Sequence, residues 1–153
     1  QPDRPINERD ICTPQSFYGI GKLASENYMR IFHNYGLDCI SLRFFNVYGD
    51  GEEFKGEQAS VFHKWKTEDS ITLFENSSSI KRDFIDVVDV VDIMEQFIMS
   101  PAPNGIYNIG TGKATSFEDI AEAFANKYKG MKRIDQILEA VSSPLLGEYS
   151  SCK

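Results

Sequence analysis

From Phe17 to Phe32 the apolar residues Phe17, Ile20, Leu23, Ile31 and Phe32 recur at a spacing near 3.6, the period of a helix with one apolar stripe. Thr13 and Pro14 are start signals for that helix and Gly36 a stop, while Tyr18, Lys22 and Ser25 fall on another face. "DCISLRFFNVYG" follows, a nearly continuous apolar run ending in Asn46 and Gly49, which predicts a buried parallel strand. A loop rich in Gly and Glu runs from Asp50 to Glu57. Beyond it "ASVFHKWK" suits a short helix, and "ITLFE" and "RDFIDV" suit strands. Asp89, with Asp92 three residues on, predicts a helix start for "VVDIMEQFIMS", closed by Pro101 and Pro103. "GIYNIG" reads as a strand and "TGKAT" as a turn. Thr115 or Ser116 then caps "FEDIAEAFANKYKG", with Glu118 or Asp119 at capping-box spacing. After "RIDQIL" the pattern is mostly that of a loop. Strands alternating with helices predict an α/β protein.

Composition narrows the function classes. With 41% hydrophobic, 25% charged and 12% aromatic residues, the chain is of ordinary globular type and has no apolar run long enough to span a bilayer. A net charge of −7 argues against a nucleic-acid face, which concentrates Lys and Arg. Cys12, Cys39 and Cys152 are an odd number without C-x-x-C spacing or a nearby His pair. That fits a reducing compartment, read as the cytoplasm, better than a disulfide framework or a metal site. The chain opens without Met on "QPDRPINERD", a polar loop of the kind found in the middle of a protein. No G-x-G-x-x-G or G-x-x-G-x-x-G occurs, and Gly19 and Gly21 lie inside the predicted helix. If the chain belongs to a dinucleotide-binding fold, it is the back half of one.

Tyr18 and Lys22 raise the question of chemistry, but their spacing alone decides nothing. Tyr-x-x-x-Lys occurs again at Tyr128 and Lys132, with Gly130 between them, and at Tyr149 and Lys153. Context separates the three. "YGIGKLASENY", "LRFFNVYG", "KRDFIDVVDVVD" and "GIYNIGTGKATSFEDIAE", in that order, resemble the carboxyl-terminal half of the extended short-chain dehydrogenase/reductase family that acts on nucleotide-diphosphate sugars. The resemblance covers about Thr13 to Asn126. Within the family, "EFKGEQASVFH", "LFENSSSIKRDF" and "PLLGEY" are most similar to the epimerases of ADP-glycero-manno-heptose.

The resemblance implies a fold: the back half of a Rossmann-type doubly wound sheet (residues 1–48) followed by a smaller α/β substrate-binding domain (49–153, incomplete at its end). The Gly-rich turn, the catalytic Ser or Thr and the residue choosing NAD or NADP are expected upstream of residue 1. Tyr18 and Lys22 match the family's catalytic pair, which also binds the cofactor. Residues i and i+4 share a helix face, so the ammonium can approach the phenol and favour its ionised form. Lys55 matches a loop lysine with acid/base or cofactor duty, and Val47 a cofactor contact. Asn46, His63, Arg82 and Tyr149 match substrate contacts, and Phe74, Glu75, Asn76 and Ser77 a segment bordering the nucleotide. Read without the family, Asn46 caps a strand, Lys55 is a solvated lysine, His63 beside Trp65 is a packing or surface residue, and Arg82 pairs with Asp83 or Asp86. The chain departs from its relatives at Glu57, where they carry a small polar residue, and at "GDGEEF", where Gly-Pro-Arg is usual.

The implied activity is NAD- or NADP-dependent epimerisation by transient oxidation. A hydride leaves the sugar carbon for the nicotinamide while a base takes the hydroxyl proton, and return to the other face inverts the centre. The implied partners are a nucleotide-diphosphate sugar, ADP-heptose being favoured, and an amino-terminal half of the same protein, and a homo-oligomer is left open. Another nucleotide-sugar 4-epimerase, a 4,6-dehydratase and a non-catalytic sugar-nucleotide binder are the alternatives.

Overall fold

The computed structural model describes residues 6–68, 70–100 and 102–127, with 132–138 described as backbone. In chain order the elements are α1 (Phe17–Asn34), β1 (Ile40–Phe44), β2 (Asn46–Tyr48), a 3-10 turn (Gly56–Gln58), α2 (Val61–Glu68), β3 (Ser70–Phe74), β4 (Lys81–Asp86), α3 (Val87–Met99), β5 (Gly105–Ile109), β6 (Ala114–Ser116), α4 (Phe117–Lys127) and β7 (Lys132–Leu138). The chain is thus mixed α/β, with parallel pairing of β2 with β4 and of β3 with β7. It falls into two compact units, one from the segments up to Arg43 and Phe97–Ile109, the other from Phe44–Gln96 and Gly110–Val141. None of the helices among the described residues is long and apolar enough to cross a membrane.

In the first unit α1 starts after Ser16, whose Oγ accepts from the Gly19 N–H at 2.9 Å, a later start than Thr13 and Pro14 suggest. It ends as expected at Gly36, where φ is +87°. The Gly36 N–H donates to the His33 carbonyl at 2.9 Å and the Leu37 N–H to that of Phe32 at 3.2 Å, a Schellman closure that needs the left-handed backbone glycine tolerates. Of the expected apolar stripe only Leu23 lies on the covered face. Phe17 is 96% exposed, and Ile20, Ile31 and Phe32 also face solvent, whereas Gly19, Leu23, Glu26 and Met29 form the half-buried row. That row holds the helix by charge as well: Arg43 on β1 grips Glu26 with two hydrogen bonds, Nε to Oε1 at 2.6 Å and Nη2 to Oε2 at 2.8 Å. β1 pairs with β5. The Glu8 carboxylate accepts from the Asn108 N–H at 2.9 Å, and this backbone bond holds Glu8 below the usual carboxylate range.

The second unit contains the buried core. Trp65, Ile71, Ile120, Ala121 and Phe124 pack together with Val61, Phe62, Leu73 and Phe84 against them. Phe62 is an aromatic hub, with ring centroids of Tyr48 at 4.4 Å and Phe84 at 5.7 Å. The single strand expected from "DCISLRFFNVYG" is two: β1 pairs with β5 and β2 with β4. The chain changes partner at Phe45, so one apolar run serves two sheets. Asp86 rather than Asp89 caps α3, its Oδ1 accepting from the Val88 N–H at 2.9 Å, and the helix follows β4 without a loop. "TGKAT", expected as a turn, yields the short strand β6, antiparallel to β4 with Arg82 opposite Thr115. Ser116 caps α4 as expected, accepting from the Asp119 N–H at 3.0 Å. β7 falls on "KRIDQIL" and runs alongside β3.

Candidate active site

Tyr18 and Lys22 lie on the first two turns of α1, and the Lys22 ammonium sits 5.3 Å from the centroid of the Tyr18 ring. The cation lies over the aromatic face at a distance typical of cation–π attraction. Tyr18 is 59% exposed, Lys22 is exposed, and an ammonium has three donors. The pair therefore presents a hydroxyl and a cation to solvent from one edge of the helix. Tyr128, of the second Tyr-x-x-x-Lys, and the whole third pair lie outside the described residues.

In the second unit the loop from Asp50 to Ser60 carries Lys55. Its Nζ donates to Glu52 Oε1 at 3.0 Å, and Glu52 is buried, only 3% of its surface being exposed. Ser60 binds the same carboxylate twice, through its hydroxyl to Oε2 and through its N–H to Oε1 at 3.3 Å. Burial pushes the Glu52 carboxyl up, but hydrogen bonds from Ser60 and Lys55 outweigh it and hold the group below its ordinary value of 4.5. Ser60 is also the cap of α2, accepting from the His63 N–H at 3.3 Å. One network therefore joins the Lys55 side chain to the start of α2, where His63 takes part through its backbone N–H alone.

Asn46 and Val47 form β2 and lie opposite Phe84 and Ile85 of β4. Arg82, two residues before Phe84, is half-buried, and its Nη1 donates to the Lys81 carbonyl at 2.8 Å. Burial pulls its guanidinium below the usual arginine range, and it remains a cation at neutral pH. Asp86 caps α3, and Asp83 accepts from the Thr111 N–H at 2.9 Å, the Thr111 hydroxyl at 2.7 Å and the Gly112 N–H at 2.8 Å.

Between β3 and β4, Phe74 stacks edge-on against Phe117 at 4.9 Å. Glu75 and Asn76 are exposed, Asn76 at a φ of +65°, and Ser77 is buried. The Ser77 carbonyl receives the Phe117 N–H at 3.1 Å, so the turn is tied to the start of α4. Tyr149 lies outside the described residues. Sequence reasoning missed Glu52, Ser60, the hold of Asp83 on the Thr111–Gly112 turn and the Glu26–Arg43 pair. Only Ser60 carried a local signal, as a capping residue just before an apolar helix; the other partners are far apart in sequence or depend on burial.

The profile of the NAD dependent epimerase/dehydratase family matches residues 1–110. The chain is 37% identical over 145 residues to the ADP-L-glycero-D-manno-heptose-6-epimerase of Brachyspira hyodysenteriae, covering 89% of this chain and 44% of that protein. Among solved structures it is similar to the UDP-N-acetylglucosamine 4-epimerase of Methanobrevibacter ruminantium M1, in complex with UDP-N-acetylmuramic acid. That likeness has a TM-score of 0.75 at 28% identity and covers 88% of this chain and 46% of that one. The Helicobacter pylori ADP-L-glycero-D-manno-heptose-6-epimerase gives a TM-score of 0.68 at 26% identity, over 80% and 40% of the two chains. The chain spans less than half the length of each of these relatives. With a family profile over most of its length and this likeness to a curated epimerase, the chain belongs to the NAD dependent epimerase/dehydratase family.

Proposed function

We propose that this chain is the carboxyl-terminal part of an NAD- or NADP-dependent nucleotide-sugar epimerase, with ADP-heptose the favoured substrate. The observation that carries the reading is the exposed Tyr18–Lys22 edge of α1, with the ammonium 5.3 Å from the ring centroid. These residues fit the nicotinamide-ribose end of the cofactor: Lys22 would hold it through a ribose hydroxyl, and the Tyr18 hydroxyl would face the sugar. No Gly-rich phosphate turn occurs in the sequence, so the chain's own residues fit that end alone. When bound, the nicotinamide supplies the acceptor for a hydride from the sugar carbon and its later donor.

The remaining work is proton transfer and grip. Tyr18 exchanges a proton with the hydroxyl of the reacting carbon as the carbonyl forms. Inversion presents the two faces of that carbon in turn, and Lys55 serves as the second proton carrier. Arg82 binds the diphosphate through its fork of donors. Asn46, His63 and Tyr149 contact the sugar, Phe74 to Ser77 border the nucleotide, and Val47 borders the cofactor. The likeness to an ADP-heptose epimerase at 37% identity supports the choice of substrate, and the likeness to a UDP-sugar 4-epimerase supports the wider epimerase reading.

The test is Tyr18→Phe in the intact enzyme, assayed on ADP-heptose beside a panel of other nucleotide sugars. Turnover should fall by a factor of ~10² to 10⁴, the scale of a lost proton carrier, with folding unchanged. Undiminished turnover overturns the catalytic assignment. Turnover by the parent enzyme of a UDP-sugar but not ADP-heptose overturns the substrate while leaving the epimerase reading intact.

A further inference from the structure

We infer that Glu52 is a positioning residue, holding the Lys55 amine in place before substrate arrives. The inference rests on the reading of Lys55 as the second proton carrier. A buried carboxylate is costly unless it is paired and hydrogen-bonded. Glu52 is 3% exposed, and Ser60 N–H, Ser60 hydroxyl and Lys55 Nζ all converge on its two oxygens. Ser60 is anchored in turn as the cap of α2 through the His63 N–H at 3.3 Å. The carboxylate is therefore fixed to a helix rather than to a swinging loop.

Lys55 is the asymmetric member of this network. Its side chain is 49% exposed against 4% for that of Glu52, so one of its three donors faces inward and the others are available outward. A lysine carries much rotamer freedom on its four-carbon stem. Glu52 withdraws part of that freedom in advance, which is what a reacting group requires. Two other acids of the loop lie near lysines of α2: Asp50 is 4.0 Å from Lys66 and Glu57 is 3.7 Å from Lys64. Both of those carboxylates are fully exposed, whereas the one that holds Lys55 is buried.

The experiment is a double-mutant cycle in the intact enzyme, with kcat, KM and thermal midpoint measured on ADP-heptose for Glu52→Gln, Lys55→Met and both together. Glu52→Gln should lower kcat by ~10- to 100-fold, the cost of a misplaced reacting group, with KM changed less than about threefold. In the Lys55→Met background the same substitution should do nothing further, because it acts only through Lys55. If Glu52→Gln does not fold, Ser60→Ala takes its place in the cycle, with a smaller loss in the same direction.

Losses that multiply across the cycle, or a loss of activity that only follows a fall in thermal midpoint, overturn the inference and make Glu52 a structural staple. A silent Glu52→Gln beside an inactive Lys55→Met overturns the inference alone. Full turnover by Lys55→Met overturns the proton-carrier reading and the inference with it.

Discussion

Arg82 and Lys81 are adjacent cations on β4, and alternation along a strand sends their side chains to opposite faces. Lys81 is exposed and Arg82 half-buried, so the two differ in environment as well as in shape. A planar fork can make two parallel bonds to a phosphate where an ammonium offers a point charge. Arg82→Lys in the intact enzyme should weaken nucleotide-sugar binding by ~1 to 3 kcal/mol, the scale of a charged hydrogen bond, and Lys81→Arg should be nearly silent. Titration with the nucleotide sugar and with the free nucleotide diphosphate checks both. Parental affinity in Arg82→Lys for both ligands returns the residue to a purely structural role. At this scale the sequence was partly legible: Tyr18 and Lys22 meet because i and i+4 share a helix face, a fact of local geometry. Glu52 was not, since a carboxylate in an acidic loop looks solvated until the fold of the loop over Ser60 buries it.

The elements follow the same division between local and distant causes. Helices α1, α2 and α4 and strands β3, β4 and β5 were readable from period, caps and glycines, because each signal lies within a turn or two of what it controls. The break at Phe45 was not, since it depends on β1 and β2 finding partners about 40 to 65 residues away. Strand β6 was missed for a related reason: three residues are too few for a period, and the strand exists because β4 lies beside it. The turn leading into β6 is held by Asp83, and at Gly110 there is no room for a larger residue. A Cβ at Gly110 would lie 2.6 Å from Phe45 Cδ2 and 2.7 Å from Asp83 Oδ2. Gly110→Ala should cost ~1 to 3 kcal/mol by overpacking, read as a lower denaturation midpoint with an unchanged denaturant slope. A midpoint equal to the parent's would mean that the turn yields more freely than its three hydrogen bonds to Asp83 suggest.

For the whole chain, the governing fact is which parts of a cofactor site it contains. Dinucleotides are gripped chiefly at the pyrophosphate, by a Gly-rich turn whose backbone N–H groups and helix N-terminus face the anion. The sequence has no such turn, and the residues that address the cofactor in the proposed reading are Tyr18, Lys22, Val47 and Lys55. A few hydrogen bonds worth ~1 to 3 kcal/mol each must then offset a loss of translational and rotational freedom on the order of 4 to 15 kcal/mol. The sum leaves little net affinity. This 153-residue chain by itself should therefore bind NAD or NADP with a dissociation constant no tighter than about 1 mM, near −4 kcal/mol, even though it carries the proposed catalytic pair. Isothermal calorimetry of the isolated chain with each nucleotide measures this directly. Micromolar binding of either would mean that the residues described here form a phosphate grip of their own, and that the division of labour between turn and catalytic pair does not hold for this protein.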